Sequence, residues 1–228
     1  MKDEYDDNDL QRLYDGKYFS TRSRLPMWKR RAEFIVEKFH PQTCLDIGCA
    51  FGELVKGLVD LDVDAYGIDG SDYVISKADN SIKDRILKVN LNSDKFPFED
   101  KKFDVIGSFY SVEHIHNIEF FSKELQRVLK DDGIVWFLTP NEGKSGRNDR
   151  DVFTNTYEEW KKIFEENNFK VRKFSPHEMM ALKGKLRKFK FYKLPIFVQN
   201  NIKRLAYDYS NKNMNDTSFI LLKNNLSK

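Results

Sequence analysis

Gly48 and Gly52 frame a short run, Asp46-Ile47-Gly48-Cys49-Ala50-Phe51-Gly52, that follows an apolar stretch and leads into an amphipathic one. Glycines in such a turn let a ligand approach the backbone closely. An acid about twenty residues on, Asp69, can accept hydrogen bonds from both ribose hydroxyls of an adenosine ligand. Further along, Glu113, His114 and His116 cluster behind another apolar run, where an imidazole can take a proton from a hydroxyl or an amine. A nicotinamide-binding turn fits poorly, because Ala50 and Glu53 stand where the second and third glycines of G-x-G-x-x-G belong. A phosphate-binding loop fails at Gly143-Lys144-Ser145, since Leu138 occupies the position of its first glycine. Asp46 adds negative charge beside the turn, which repels a pyrophosphate and suits a sulfonium carrying an amino group.

Positioning these residues requires strands that end at one edge of a sheet. Pro26 opens a helix over 27–39, with Ala32, Ile35, Val36 and Phe39 on one face. Strands are predicted over 43–47, 64–68, 85–89, 103–109 and 134–138, with helical stripes between them at Leu54/Val55/Leu58, Val74/Ile75/Ala78 and Phe121/Leu125/Val128. Ser71 is placed to cap the second of those helices, and Gly133 to end the last. This alternation predicts an α/β fold with a doubly wound, mostly parallel sheet covered by helices on both faces. Thr156 and Glu159 form a capping box ahead of Tyr157, Trp160, Ile163 and Phe164, and two further strands are expected over 169–174 and 218–222.

Leu45-Asp46-Ile47-Gly48-Cys49-Ala50-Phe51-Gly52, Gly67-Ile68-Asp69-Gly70-Ser71, Phe96-Pro97-Phe98, Phe103-Asp104-Val105-Ile106 and Leu125-Gln126-Arg127-Val128-Leu129-Lys130-Asp131-Asp132-Gly133 resemble, in order, the motifs of class I S-adenosylmethionine-dependent methyltransferases. The resemblance covers roughly residues 43–141 and implies a seven-stranded sheet whose last two strands form a C-terminal antiparallel hairpin. It departs at Ala50, where the family often has glycine. It also implies a cofactor site: Asp46, Gly48, Cys49, Ala50 and Gly52 near the methionine portion, Asp69 and Gly70 at the ribose, Asn90 (or Asn92) with Leu91 at the adenine, and the strand end 108–112, beginning with Ser108, lining the methyl-donor cleft. Asn90 suits adenine because its amide both donates and accepts. His114 is the favoured base, with Glu113 and His116 beside it; all three read equally well as hydrogen-bonded residues of a strand-to-helix turn, and no metal is assigned to them. Tyr14-Asp15-Gly16-Lys17-Tyr18-Phe19 resembles the aromatic N-terminal segment that folds over the cofactor in several of these enzymes, where Tyr18 would reach the cofactor carboxylate; the alternative is an aromatic anchor for the first helix.

The chain thus divides into an N-terminal lid and helix over 1–40 and a core domain over 41–228, interrupted by a basic and aromatic insertion at 177–212. Lys183, Lys185, Arg187, Lys188, Lys190 and Lys193 alternate there with Phe189, Phe191 and Tyr192, a mixture that suits phosphate and base rings, an anionic small molecule or an anionic lipid surface. An overall charge of +3 and the lack of a separate nucleic-acid module favour a small-molecule acceptor, methylated on oxygen or nitrogen, such as a sugar or nucleotide-linked sugar. An RNA or protein acceptor, a nicotinamide oxidoreductase and a nonenzymatic cofactor-binding protein are the competing readings. Two cysteines at positions 44 and 49 do not form a disulfide framework, and with no signal peptide or membrane span read from the sequence the expected location is the cytoplasm.

Overall fold

The computed structural model describes residues 11, 14, 25–140, 155–174 and 216–224, and all structural statements concern these. Its elements run α1 (Leu25–Phe39), β1 (Thr43–Ile47), α2 (Glu53–Val59), β2 (Asp64–Asp69), α3 (Asp72–Lys77), β3 (Ile86–Lys88), β4 (Phe103–Phe109), α4 (Ile118–Val128), β5 (Leu129–Pro140), α5 (Tyr157–Glu166), β6 (Phe169–Lys173) and β7 (Asp216–Lys223). The sheet order is β3-β2-β1-β4-β5-β7-β6. Pairings from β3 through β5 are parallel, and β7 runs antiparallel to both β5 and β6. The predicted seven-stranded, mostly parallel sheet with a C-terminal antiparallel hairpin is the fold found.

Strand alternation divides the core into two layers. Leu45 and Ile47 face a layer with Phe121 and Leu125 of α4 and Trp160 and Phe164 of α5. Cys44 faces the opposite layer, with Ala32 and Ile35 of α1, Leu54 and Leu58 of α2, and Phe109 and Trp136 from the sheet. The strand order reverses between β1 and β4, so their C-terminal ends diverge into helices on opposite faces and leave a crevice.

Several expected boundaries shift. β3 is shorter than predicted because Arg85 belongs to a 3-10 turn, where its guanidinium meets Asp64 at 2.6 Å. β5 begins at Leu129, directly after α4, so Gly133 lies within the strand instead of ending the helix. Residues 130–133 bulge between the Phe103–Leu129 and Val105–Ile134 pairs. Ser71 holds the N-cap position of α3, yet its hydroxyl donates to the Tyr14 carbonyl at 2.7 Å, and Gln11 Oε1 accepts the Asp72 amide at 2.7 Å in its place. The capping box at Thr156 and Glu159 forms as expected.

Two of the sequence motifs have clear mechanical roles. Arg127 of α4 donates to the carbonyls of Phe96 (2.8 Å) and Phe98 (2.6 Å) and to both oxygens of Glu124, whose Oε2 accepts the Phe96 amide. This network fastens the 96–98 segment to α4. Asp104 Oδ2 accepts the amides of Gln42 and Thr43, and its Oδ1 meets Lys130, so the start of β1 is locked to β4.

Candidate functional site

The glycine turn after β1 is shaped by three left-handed residues, Gly48 (φ 68°), Ala50 (φ 48°) and Gly52 (φ 74°). Alanine in that region costs about 1 to 2 kcal/mol. The Ala50 amide donates to Asp69 Oδ2 at 3.0 Å, which offsets part of it. The amides of Gly48 and Cys49 donate to the Ile68 carbonyl, and that of Gly52 to Cys49. The amides of Gly48, Cys49, Ala50 and Gly52 are therefore engaged within the protein, whereas a dinucleotide site aims its turn amides at a pyrophosphate.

Asp69 ends β2 half-buried, with Oδ1 accepting from the Ser71 amide at 2.9 Å and Oδ2 from Ala50. Burial raises its carboxyl above the usual range, and the amides of Ser71, Ala50 and Gly70 counter that rise. With three amides on its two oxygens, the carboxylate keeps acceptor capacity for a further donor. Asp46, 4% exposed, has its carboxyl pushed up to about 8 by burial, with Arg31 drawing it down and Asp69 adding to the rise.

β4 ends in a sharp redirection. Tyr110 takes a left-handed backbone (φ 61°) and its amide donates to the Leu138 carbonyl, turning the chain so that Ser111 falls beneath Gly48. Ser111 Oγ donates to the Ile47 carbonyl at 3.0 Å and lies 2.6 Å from Ser108 Oγ. The buried serine pair thus ties the glycine turn to the end of β4. The 3-10 turn Val112–His114 follows. Glu113 is buried and accepts from the Thr139 hydroxyl at the end of β5, whereas His114 is half-buried with its ring 5.8 Å from that of Tyr14.

The structure therefore brings Asp46, Gly48, Cys49, Ala50, Gly52, Asp69, Gly70, Ser108, Glu113 and His114 to the carboxyl ends of β1, β2 and β4. Ser108 contributes a buried hydroxyl bonded to Ser111 rather than an open one. Asn90 and Leu91 lie half-buried beyond β3, with Asn90 Oδ1 accepting the Asn92 amide. Asn92 is buried, and its Oδ1 accepts the amides of both His116 and Asn117, making it a clasp between the β3 and β4 loops. That engagement occupies the Asn92 side-chain oxygen and anchors His116 by its backbone. Among the described residues, no group of three or more His, Cys, Asp and Glu side chains is arranged to hold a metal ion. Cys44 and Cys49 are free thiols, both buried. Tyr18 and the insertion at 177–212 lie outside the described residues.

Sequence reasoning passed over Arg31, Thr139 and Gln11, and placed Ser111 only within the cleft-lining stretch 108–112. Arg31 carried a signal: it is the cation in the apolar stripe Trp28, Arg31, Ile35 of α1, a spacing of one helical face. Gln11 and Tyr14 join two strand ends, Gln11 Nε2 donating to the Gly70 carbonyl at 2.8 Å while Tyr14 meets Ser71 through its carbonyl and His114 through its ring. No helix among the described residues is long and apolar enough to cross a membrane.

Residues 45–137 match the family described as a methyltransferase domain. The chain is 38% identical over 99 residues to a ubiquinone biosynthesis O-methyltransferase of Pelagibacter ubique, covering 42% of this chain and 41% of that protein. It is 37% identical over 95 residues to the sterol 4-C-methyltransferase strm-1 of Caenorhabditis elegans, covering 40% and 28%. The chain thus spans less than half the length of these relatives. The same fold occurs in a SAM-dependent methyltransferase of Archaeoglobus fulgidus, at TM-score 0.60 and 16% identity over 91% of this chain and 98% of that one.

Proposed function

We propose that the chain, whose residues 45–137 match a methyltransferase-domain family, is a class I S-adenosylmethionine-dependent methyltransferase that transfers a methyl group from this cofactor to an oxygen or nitrogen of a small molecule. The observation that carries the reading is the pairing at the glycine turn: its amides are engaged within the protein, while Asp46 and Asp69 bring two carboxyl groups to the same strand ends. Such a site offers a pyrophosphate no free donors from these amides and supplies acceptors that fit an adenosine bearing a cationic amino-acid tail, which Asp46 meets once it gives up its proton.

Asp69 would hold the ribose, Asp46 with the Gly48–Gly52 turn the methionine portion, and Asn90 with Leu91 the adenine. Bound there, the cofactor supplies a methyl carbon on positively charged sulfur. The chain's own task is then to align an acceptor, exclude water and manage one proton. His114, half-buried on the turn after β4, would accept that proton, and Glu113, which accepts from Thr139, would fix the turn. Gln11 and Tyr14 bridge the ends of β2 and β4, which supports an N-terminal segment that shields the site.

The acceptor is proposed to be anionic, with a sugar or nucleotide-linked sugar as the favoured class, on the strength of the basic and aromatic sequence at 177–212. The two relatives act, by their names, on an oxygen and on a carbon, so the acceptor does not pass to this chain by similarity. Transfer of radiolabelled methyl from S-adenosylmethionine into a fractionated cell extract tests both levels. Label in the small-molecule fraction, retained by anion exchange, is the expected result. Label confined to RNA or protein overturns the acceptor, and tight cofactor binding with no label in any fraction overturns catalysis.

A further inference from the structure

α1 places a cation, Arg31, in the layer between itself and the sheet, 1% exposed. Its guanidinium carbon lies 4.1 Å from the ring centroid of Phe109, 4.5 Å from that of Trp28 and 5.9 Å from that of Trp136. An aromatic box of this kind holds a planar cation without offering it a countercharge. A carboxyl on the same side comes from β1. Cys44 packs in the α1 layer while Leu45 and Ile47 pack in the other, so alternation turns Asp46 toward α1. Asp46 pairs with Gly107 of β4, and the Phe109 ring lies across Gly107 so closely that a Cβ there would come within 2.5 Å of it. The ring that carries Arg31 is therefore the ring beside Asp46.

We propose that Arg31 is a positioning residue: the buried counter-ion that lets Asp46 meet the amino group of the bound cofactor as a carboxylate. The inference rests on the proposed function in one respect, that Asp46 faces the methionine portion. The groups facing Asp46 among the described residues are Arg31 from α1, Asp69 from the end of β2, and the thiols of Cys44 and Cys49, which burial keeps protonated. Burial and Asp69 favour the neutral acid, and Arg31 opposes them. With the free carboxyl at about 8, cofactor uptake near neutral pH releases a proton, and affinity strengthens as pH rises toward that value. Loss of Arg31 moves this step further up.

The test is calorimetric titration with S-adenosylhomocysteine, which keeps the amino group and lacks the sulfonium, between pH 6 and 9. Wild type is expected to bind more tightly with rising pH and to release a proton on binding at pH 7, and Asp46→Asn to lose both effects. Arg31→Met should move the step up by about 1 to 3 pH units, to the upper end of that range or out of it, and weaken binding at pH 7 by about tenfold or more, with Arg31→Lys partly restoring both. A wild-type affinity independent of pH, or an Arg31→Met protein with a lower melting temperature and an unmoved step, overturns the inference while leaving the cofactor site standing. No binding by wild type at any pH overturns the cofactor reading instead. Should Arg31→Met not fold, the Arg31 Nε resonance of the wild-type protein decides: it must titrate with the binding step and cease to do so in Asp46→Asn.

Discussion

Replacing Gly48 by alanine should damage this protein through one neighbour. The backbone at Gly48 is left-handed, at φ 68°, and an added Cβ would lie 2.4 Å from Ser111 Cβ and 2.7 Å from Ser111 Oγ. The left-handed backbone costs alanine about 1 to 2 kcal/mol. Overpacking adds about 1 to 3 kcal/mol, because Ser111 is held by Ile47 and Ser108 and has little room to retreat. The sum, about 2 to 5 kcal/mol, corresponds to a fall in melting temperature of roughly 5 to 15 °C for a chain of this size. Ser111→Gly removes the clash and leaves the backbone strain. Urea unfolding of both single variants and the double variant should therefore give a coupling of about 1 to 3 kcal/mol in favour of the pair. Ser111→Ala is an internal control, since it keeps the Cβ and must not rescue. Additive costs for Gly48→Ala and Ser111→Gly, or equal rescue by Ser111→Ala, would refute the idea that contact with Ser111 holds the turn in place.

Asp69→Ala should weaken S-adenosylhomocysteine binding by about tenfold to a few hundredfold, since it removes a charge-assisted hydrogen bond worth roughly 1.5 to 3 kcal/mol; a change under threefold in calorimetry would dismiss the ribose role. Asp69→Asn should not restore binding, because its NH2 would face the amide of either Ala50 or Ser71, both of which need an acceptor. His114→Ala should lower turnover by about a hundredfold while leaving cofactor affinity within about threefold, and near-normal turnover in the methyl-transfer assay ends its candidacy as base. Burial pushes both thiols up, helped at Cys44 by Asp104 and Asp46 and at Cys49 by Asp69 and Asp46, so iodoacetamide at pH 8 should leave the native protein unlabelled while modifying both cysteines in urea. Rapid labelling of the folded protein, read by mass spectrometry, would contradict their burial.

What the sequence determined by itself was whatever repeats locally. The apolar periods of β1, β4 and α5, the glycine turn, the acid closing β2 and the capping box at Thr156 are each written in a few adjacent residues, and each appears where those residues place it. The ends of β3 and β5 were misjudged because a 3-10 turn and a bulge depend on partners across the sheet, Asp64 for Arg85 and Phe103 for Leu129. Only the tertiary structure decided how the site is held together. It placed Ser111 under Gly48, gave the cap of α3 to Gln11 rather than Ser71, engaged Asn92 in clasping two loops, and buried Arg31 on the face of the sheet that carries Asp46. Those choices join residues tens of positions apart through single hydrogen bonds, ring contacts and charges in a low-dielectric layer. They leave no periodic trace along the chain, because their energies exist only once both partners have been folded out of water.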